Sequence, residues 1–90
     1  MLKITRSNRF LKDLKLAIKR GLNINELATV VEMLQEGKSL DEKYKDHPLQ
    51  GIYHDFRECH IEPDWLLIYR IDKEELELFL FRTGSHSDLF

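Results

Sequence analysis

Apolar residues recur every three or four positions through the first third of the chain, lapse, and then return with the alternation of extended strands. Phe10, Leu11, Leu14, Ala17 and Ile18 form one stripe, and Leu27, Val30, Val31 and Leu34 form a second. Such spacing gathers side chains on one side of an α-helix. Ser7 is placed to cap the first helix and Gly21 to end it. For the second, Asn23 and Glu26 read as a capping box, Leu22 and Leu27 as the flanking hydrophobic staple, and Gly37 as the stop. From Lys38 to Gln50 the chain is polar, contains Pro48 and keeps no period, which predicts a long loop with one helical turn after Ser39. Ile52 to Cys59, Trp65 to Ile71 and Leu76 to Arg82 are then rich in aromatic and aliphatic residues, with turn-prone Glu62-Pro63-Asp64 and Asp72-Lys73-Glu74 between them. Links this short imply antiparallel neighbours. Leu2 to Thr5 predicts a further strand at the start. Trp65 to Tyr69 is apolar at every position, as a central strand would be, whereas Leu76, Leu78 and Leu80 share one parity and Phe79 and Phe81 complicate the other.

The predicted order is strand, helix, helix, then three strands: an α+β fold in which a helical hairpin covers an antiparallel sheet. Ninety residues enclose too little interior for two cores, so residues 1–90 are expected to form a single domain. No apolar run approaches the roughly 20 residues that cross a bilayer, and Met1-Leu2-Lys3-Ile4 lacks the apolar stretch of a secretion signal. A cytoplasmic protein without a membrane partner is expected. The lone Cys59 has no internal disulfide partner, and no Cys-x-x-Cys pair offers a structural zinc site. The net charge of -2 conceals an asymmetry: residues 1–20 carry seven basic side chains against Asp13 alone, while the remainder carries seven basic and fifteen acidic ones. Lys12, Lys15 and Lys19 share one helical face and form a candidate contact for a polyanion, with an ordinary solvated helix face as the simpler reading.

The candidate chemistry lies in the loop and at strand ends. His47, His60 and His86 stand near carboxylates, an arginine and aromatics, and an imidazole both accepts and donates protons near neutrality. A sheet of antiparallel neighbours gathers all three at one edge, whereas His54, predicted within a strand, reads as a packing or surface residue. Zinc binding is a weaker reading, because the histidines come from distant segments without a His-x-x-x-His or His-Glu-x-x-His element. Nucleophilic catalysis by Cys59 is weaker still, because Cys59 and His60 point to opposite faces of a strand. Arg82-Thr83-Gly84-Ser85-His86 combines a guanidinium, hydroxyls and backbone amides that suit a phosphodiester gaining charge under attack. Tyr44, Trp65 and Phe90 offer surfaces for stacking unpaired bases, although Trp65 reads equally well as core.

Tyr44 to Gly51, Phe56 to Tyr69, and Arg82 to His86 followed by Leu89-Phe90 closely resemble the YafQ toxins of the RelE/ParE superfamily, and the resemblance spans essentially the whole chain. It implies a RelE-like fold and an endoribonuclease that cleaves messenger RNA in the ribosomal A site and is silenced by a cognate antitoxin. Carried over by motif, His47, His60, Asp64 and His86 are the implied catalytic positions. Arg82 would stabilise charge on the phosphate, and Trp65 and Phe90 would position the substrate. Glu58 stands where the family more often has aspartate, one methylene shorter.

The mechanism implied is attack by a ribose 2′-hydroxyl, with His86 as acid, His60 or His47 as base and Asp64 orienting an imidazole. No cofactor or metal is expected, because the nucleophile belongs to the substrate. Lys12, Lys15 and Lys19 then become candidate contacts for ribosomal RNA or for an acidic antitoxin. A gyrase-poisoning toxin of the same superfamily and a non-catalytic RNA- or protein-binding module are the alternatives.

Overall fold

Where the apolar period is helical the chain forms two helices, and where it alternates it forms a sheet, as the computed structural model of residues Met1–Phe90 shows. Strand β1 (Lys3–Arg6) leads into helices α1 (Asn8–Lys19) and α2 (Ile24–Gln35). The short edge strand β2 (His47–Pro48), then β3 (Arg57–Glu62), β4 (Trp65–Asp72) and β5 (Glu77–Gly84), precede a C-terminal turn of helix, α3 (His86–Leu89). The order in the sheet is β1-β5-β4-β3-β2. The strands from β2 to β5 pair antiparallel as expected, but β1 lies parallel to β5. A long helical connection imposes no hairpin return, so β1 is free to dock either way.

Local chemistry explains the helix ends. The Ser7 hydroxyl accepts from the Phe10 amide and donates to the Phe81 carbonyl, fastening the start of α1 to β5. Gly21 follows α1 with φ +78°, a backbone region in which a side chain is strained. Asn23 does cap α2, but by accepting from the Asn25 amide, without the reciprocal bond from Glu26 that a capping box requires.

Phe10 and Ala17 of α1 and Leu27, Val30 and Leu34 of α2 bury against Cys59, Ile61, Trp65, Leu67, Tyr69, Leu78 and Leu80 on one side of the sheet. Burying a side chain of this size is worth about 1.5–3 kcal/mol. β4, buried at both parities from Trp65 to Tyr69, is the central strand. Two expectations about the later segments need correction. The strand expected over Ile52–Cys59 begins only at Arg57, because residues Gly51–Tyr53 close a 3-10 turn that leaves His54 exposed. The segment from Lys38 to Gln50 holds the one helical turn expected, a 3-10 turn at Glu42–Tyr44, but also the unexpected edge strand β2.

A bulge in β5 decides where Arg82 points. Ile68 pairs with Arg82 while the next residue, Tyr69, pairs with Leu80, leaving Phe81 as an extra residue in β5. This bulge reverses the alternation. Leu78 and Leu80 face the helices, and after the bulge Thr83 does so in place of Arg82. No helix in the structure is long and apolar enough to cross a membrane.

Candidate active site

Paired residues in adjacent antiparallel strands share a face, and the register therefore builds the site. His47 pairs with Glu58 and Glu58 with Ile68, while His60 pairs with Leu66 and Leu66 with Gly84. All of them lie on the side opposite the helices. The strands end at Gly84, and His86 in the following turn comes back over this face. The ring centres of His47 and His60 are 6.4 Å apart, and those of His60 and His86 are 5.6 Å apart. Three imidazoles from distant segments thus stand in a row, with His60 in the middle.

Each ring is fixed through the same nitrogen. Nδ1 of His47 lies 2.6 Å from the Lys45 carbonyl, Nδ1 of His60 lies 3.2 Å from the Pro63 carbonyl, and Nδ1 of His86 lies 2.8 Å from Asp64 Oδ1. An oxygen at Nδ1 holds the proton of a neutral ring there and leaves Nε2 as the working atom. The Glu58 carboxylate, only 8% exposed, sits between two of these atoms, 3.6 Å from His47 Nε2 and 3.5 Å from His60 Nε2. The longer side chain at this position therefore still reaches both rings.

Asp64 is exposed but well anchored. Its Oδ1 accepts from the His86 backbone amide at 3.0 Å as well as meeting the ring. These two contacts, the amide first, hold its carboxyl below the ordinary range. The turn that carries His86 is fastened from its far end. Ser85 and Asp88 form a reciprocal capping box, and Arg20, the residue that caps the end of α1, donates twice to Asp88. The Arg20 guanidinium and the Ser85 amide hold the Asp88 carboxyl far below its usual range. A Cβ on Gly84 would come within 3.0 Å of Asp88, so the turn closes tightly there.

Of the positions expected to meet substrate, Trp65 does different work here and Arg82 has a structural partner as well. Trp65 is 2% exposed, and its indole N–H donates to Thr83 Oγ1 at 2.9 Å, whose hydroxyl donates on to the Leu66 carbonyl. A buried indole offers no face to a base, so Trp65 is a core residue that fixes the end of β5. Arg82 makes a two-pronged bond to Asp13 of α1 through Nε and Nη2, at 2.8 and 3.0 Å. That bond leaves Nη1 as the guanidinium nitrogen free to meet a phosphate. Phe90 is exposed and borders a small apolar hollow of about 120 Å³ with Tyr53, Phe81 and Leu89. Lys12, Lys15 and Lys19 are exposed and make no ion pair.

Cys59 is fully buried, and burial pushes its thiol up to about 12, which removes it as a nucleophile. The spacing argument against a metal fares differently. Ligand atoms of Glu58, His60 and His86 lie within 4.8 Å of one another, a donor set that suits a borderline divalent ion. Sequence spacing did not reveal this because the donors come from β3 and the C-terminal turn. A groove of about 760 Å³ runs from His60 and His86 past Pro63 to Lys43, Tyr44 and Lys45, with Glu26 and Thr29 of α2 on its other wall. Neither lysine carried a sequence signal beyond its charge.

A family model described as the bacterial toxin of the type II toxin-antitoxin system, YafQ, matches residues 2–90. The chain belongs to the YafQ toxin family. The mRNA interferase toxin YafQ of Escherichia coli strain K12 is 42% identical over 85 residues, covering 93% of this chain and 90% of that protein. Among solved structures, a metal-bound toxin from Helicobacter pylori is similar over the full length of both chains, with 53% identity and a TM-score of 0.95. The YafQ chain of the E. coli DinJ-YafQ toxin-antitoxin complex is 41% identical with a TM-score of 0.90, covering 99% of this chain and 97% of the matched one. The RelE-like architecture that the resemblance implied thus agrees with YafQ structures.

Proposed function

We propose that this chain is an mRNA interferase, a cytoplasmic endoribonuclease that cuts messenger RNA in the ribosomal A site and is neutralised by a cognate antitoxin. One observation carries the chemistry: the row His47, His60, His86, each ring held at Nδ1 with Nε2 left to work. In-line displacement needs a proton acceptor and a proton donor on opposite sides of the phosphorus. The outer rings of the row suit those roles. His47 Nε2 takes the proton from the ribose 2′-hydroxyl, whose oxygen forms the new bond to phosphorus. The bond to the 5′-oxygen breaks as protonated His86 delivers a proton to it. The products are a 2′,3′-cyclic phosphate and a 5′-hydroxyl.

His60, in the middle, and Nη1 of Arg82 meet the non-bridging oxygens as their charge rises. Asp64 orients His86, and Glu58 does the same for His47 and His60. The groove beyond His60 and His86 takes nucleotides flanking the cut, with Lys43 and Lys45 near their phosphates. Phe90 stacks on a base at the opposite end. Lys12, Lys15 and Lys19 meet ribosomal RNA, and the antitoxin covers the histidine face.

A single 2′-deoxy substitution on the 5′ side of the mapped cut tests the nucleophile. Abolished cleavage with unchanged RNA binding is expected, and cleavage at the wild-type rate would overturn the mechanism. No metal takes part in it, and cleavage persists in chelator. A divalent ion on Glu58, His60 and His86 would occupy the nitrogens that handle protons. Added Cu²⁺ should therefore inhibit, and chelator should restore the rate.

A further inference from the structure

His47 lies in a strand of two residues at the edge of the sheet, the weakest mounting of the three histidines. Successive residues of a strand point to opposite sides, so its neighbour Asp46 is directed toward the helices. There the carboxylate meets an unusual amount of structure. The Tyr69 hydroxyl donates to Asp46 Oδ1 at 2.5 Å, and Arg57 donates from Nε and Nη2 at 3.4 and 3.3 Å. Tyr69 is 1% exposed in the central strand, and Asp46 accepts the one hydrogen bond its hydroxyl makes to another side chain. Burial, followed by this bond, raises the phenol above its usual range, so Tyr69 stays a donor.

On the other side of Asp46, Lys45 adopts φ 50°, a left-handed backbone that turns its carbonyl onto His47 Nδ1. A single carboxylate thus ties the buried central strand to the short segment that holds the His47 ring. We infer that Tyr69 and Arg57 act through Asp46 as positioning residues that fix the orientation and tautomer of His47. The inference rests on His47 taking part in cleavage, and the clamp itself is observable without RNA.

Tyr69→Phe removes the hydroxyl and keeps the ring in the core. Asp46→Ala removes the carboxylate at the surface and serves should the first variant fold poorly, while Asp46→Asn keeps an acceptor for Tyr69. In ¹⁵N-resolved spectra of the imidazoles, wild type should show His47 as one Nδ1–H tautomer. Tyr69→Phe and Asp46→Ala should average the His47 tautomers and leave the His60 and His86 signals in place. In parallel kcat should fall about tenfold with KM changed less than about twofold, because misplacing a reacting group by a fraction of an ångström costs rate more than binding. Asp46→Asn should recover part of the loss.

Unchanged His47 signals in both variants would overturn the clamp, as would a rise in KM with kcat intact. Averaged His47 signals with unaltered cleavage would sustain the clamp and remove His47 from the chemistry.

Discussion

The two sides of the sheet are held by different forces. On the helix side Phe10, Val30, Trp65, Leu67 and Leu78 interlock with almost no exposure, and the order there comes from excluding water. On the histidine side the positions are set by polar tethers: Asp46 behind His47, the Pro63 carbonyl behind His60, and Asp64, Asp88 and Arg20 behind His86. The difference teaches that stability and reactivity here can be altered almost separately. A lost tether disturbs one ring, whereas a lost core side chain disturbs all of them.

The largest separation is expected from His86→Ala. The side chain is exposed, so the melting temperature should stay within a few degrees, while cleavage falls by about 10²- to 10⁴-fold in a single-turnover assay. Retained cleavage would dissolve the distinction between the two sides. Leu67→Ala is the counterpart on the helix side: denaturant unfolding should show a loss of about 2–5 kcal/mol, with the activity of the remaining folded fraction near that of wild type.

Acid should loosen the polar side first. Asp64 and Asp88 are both held below the ordinary carboxylate range in the folded chain, so their tethers contribute fully above the unfolded pKa of about 3.9 and are lost as pH falls through the lower folded values. Hydrogen exchange of the Ser85–Phe90 amides should therefore accelerate below that range while the β4 amides stay protected. Simultaneous release of both regions would contradict the separation. The smallest effect is expected from replacing Lys43 and Lys45 together by alanine. RNA binding should weaken, and the slope of log affinity against log salt should shrink by about 1.4, the value for two phosphate contacts on a single strand.

The same division explains what could be read from residues alone. Period and caps mark the core, so α1, α2 and the central strand follow from Phe10, Leu34 and Trp65 to Tyr69. The convergence of His47, His60 and His86 followed from antiparallel pairing once the links between strands were seen to be short. Register and tethers left weaker traces. A strand of two residues has no period, and the bulge at Phe81 is invisible to parity counting, which on its own puts Arg82 on the side of Leu80. Asp46, Arg57 and Tyr69 meet only after the sheet forms, so no local motif announces them. One available sign was overlooked: Ser85 and Asp88 stand three apart, as a capping box requires, and mark the turn that carries His86.

The extra residue at Phe81 acts as a change of reading frame within one strand. Pressing Phe81 into the ladder opposite Ile68 would swing the guanidinium into oil and turn the threonine away from the indole it caps. Loss of Phe81 itself would leave those two side chains on their present faces, so this is the one link of β5 that the polypeptide should be able to give up.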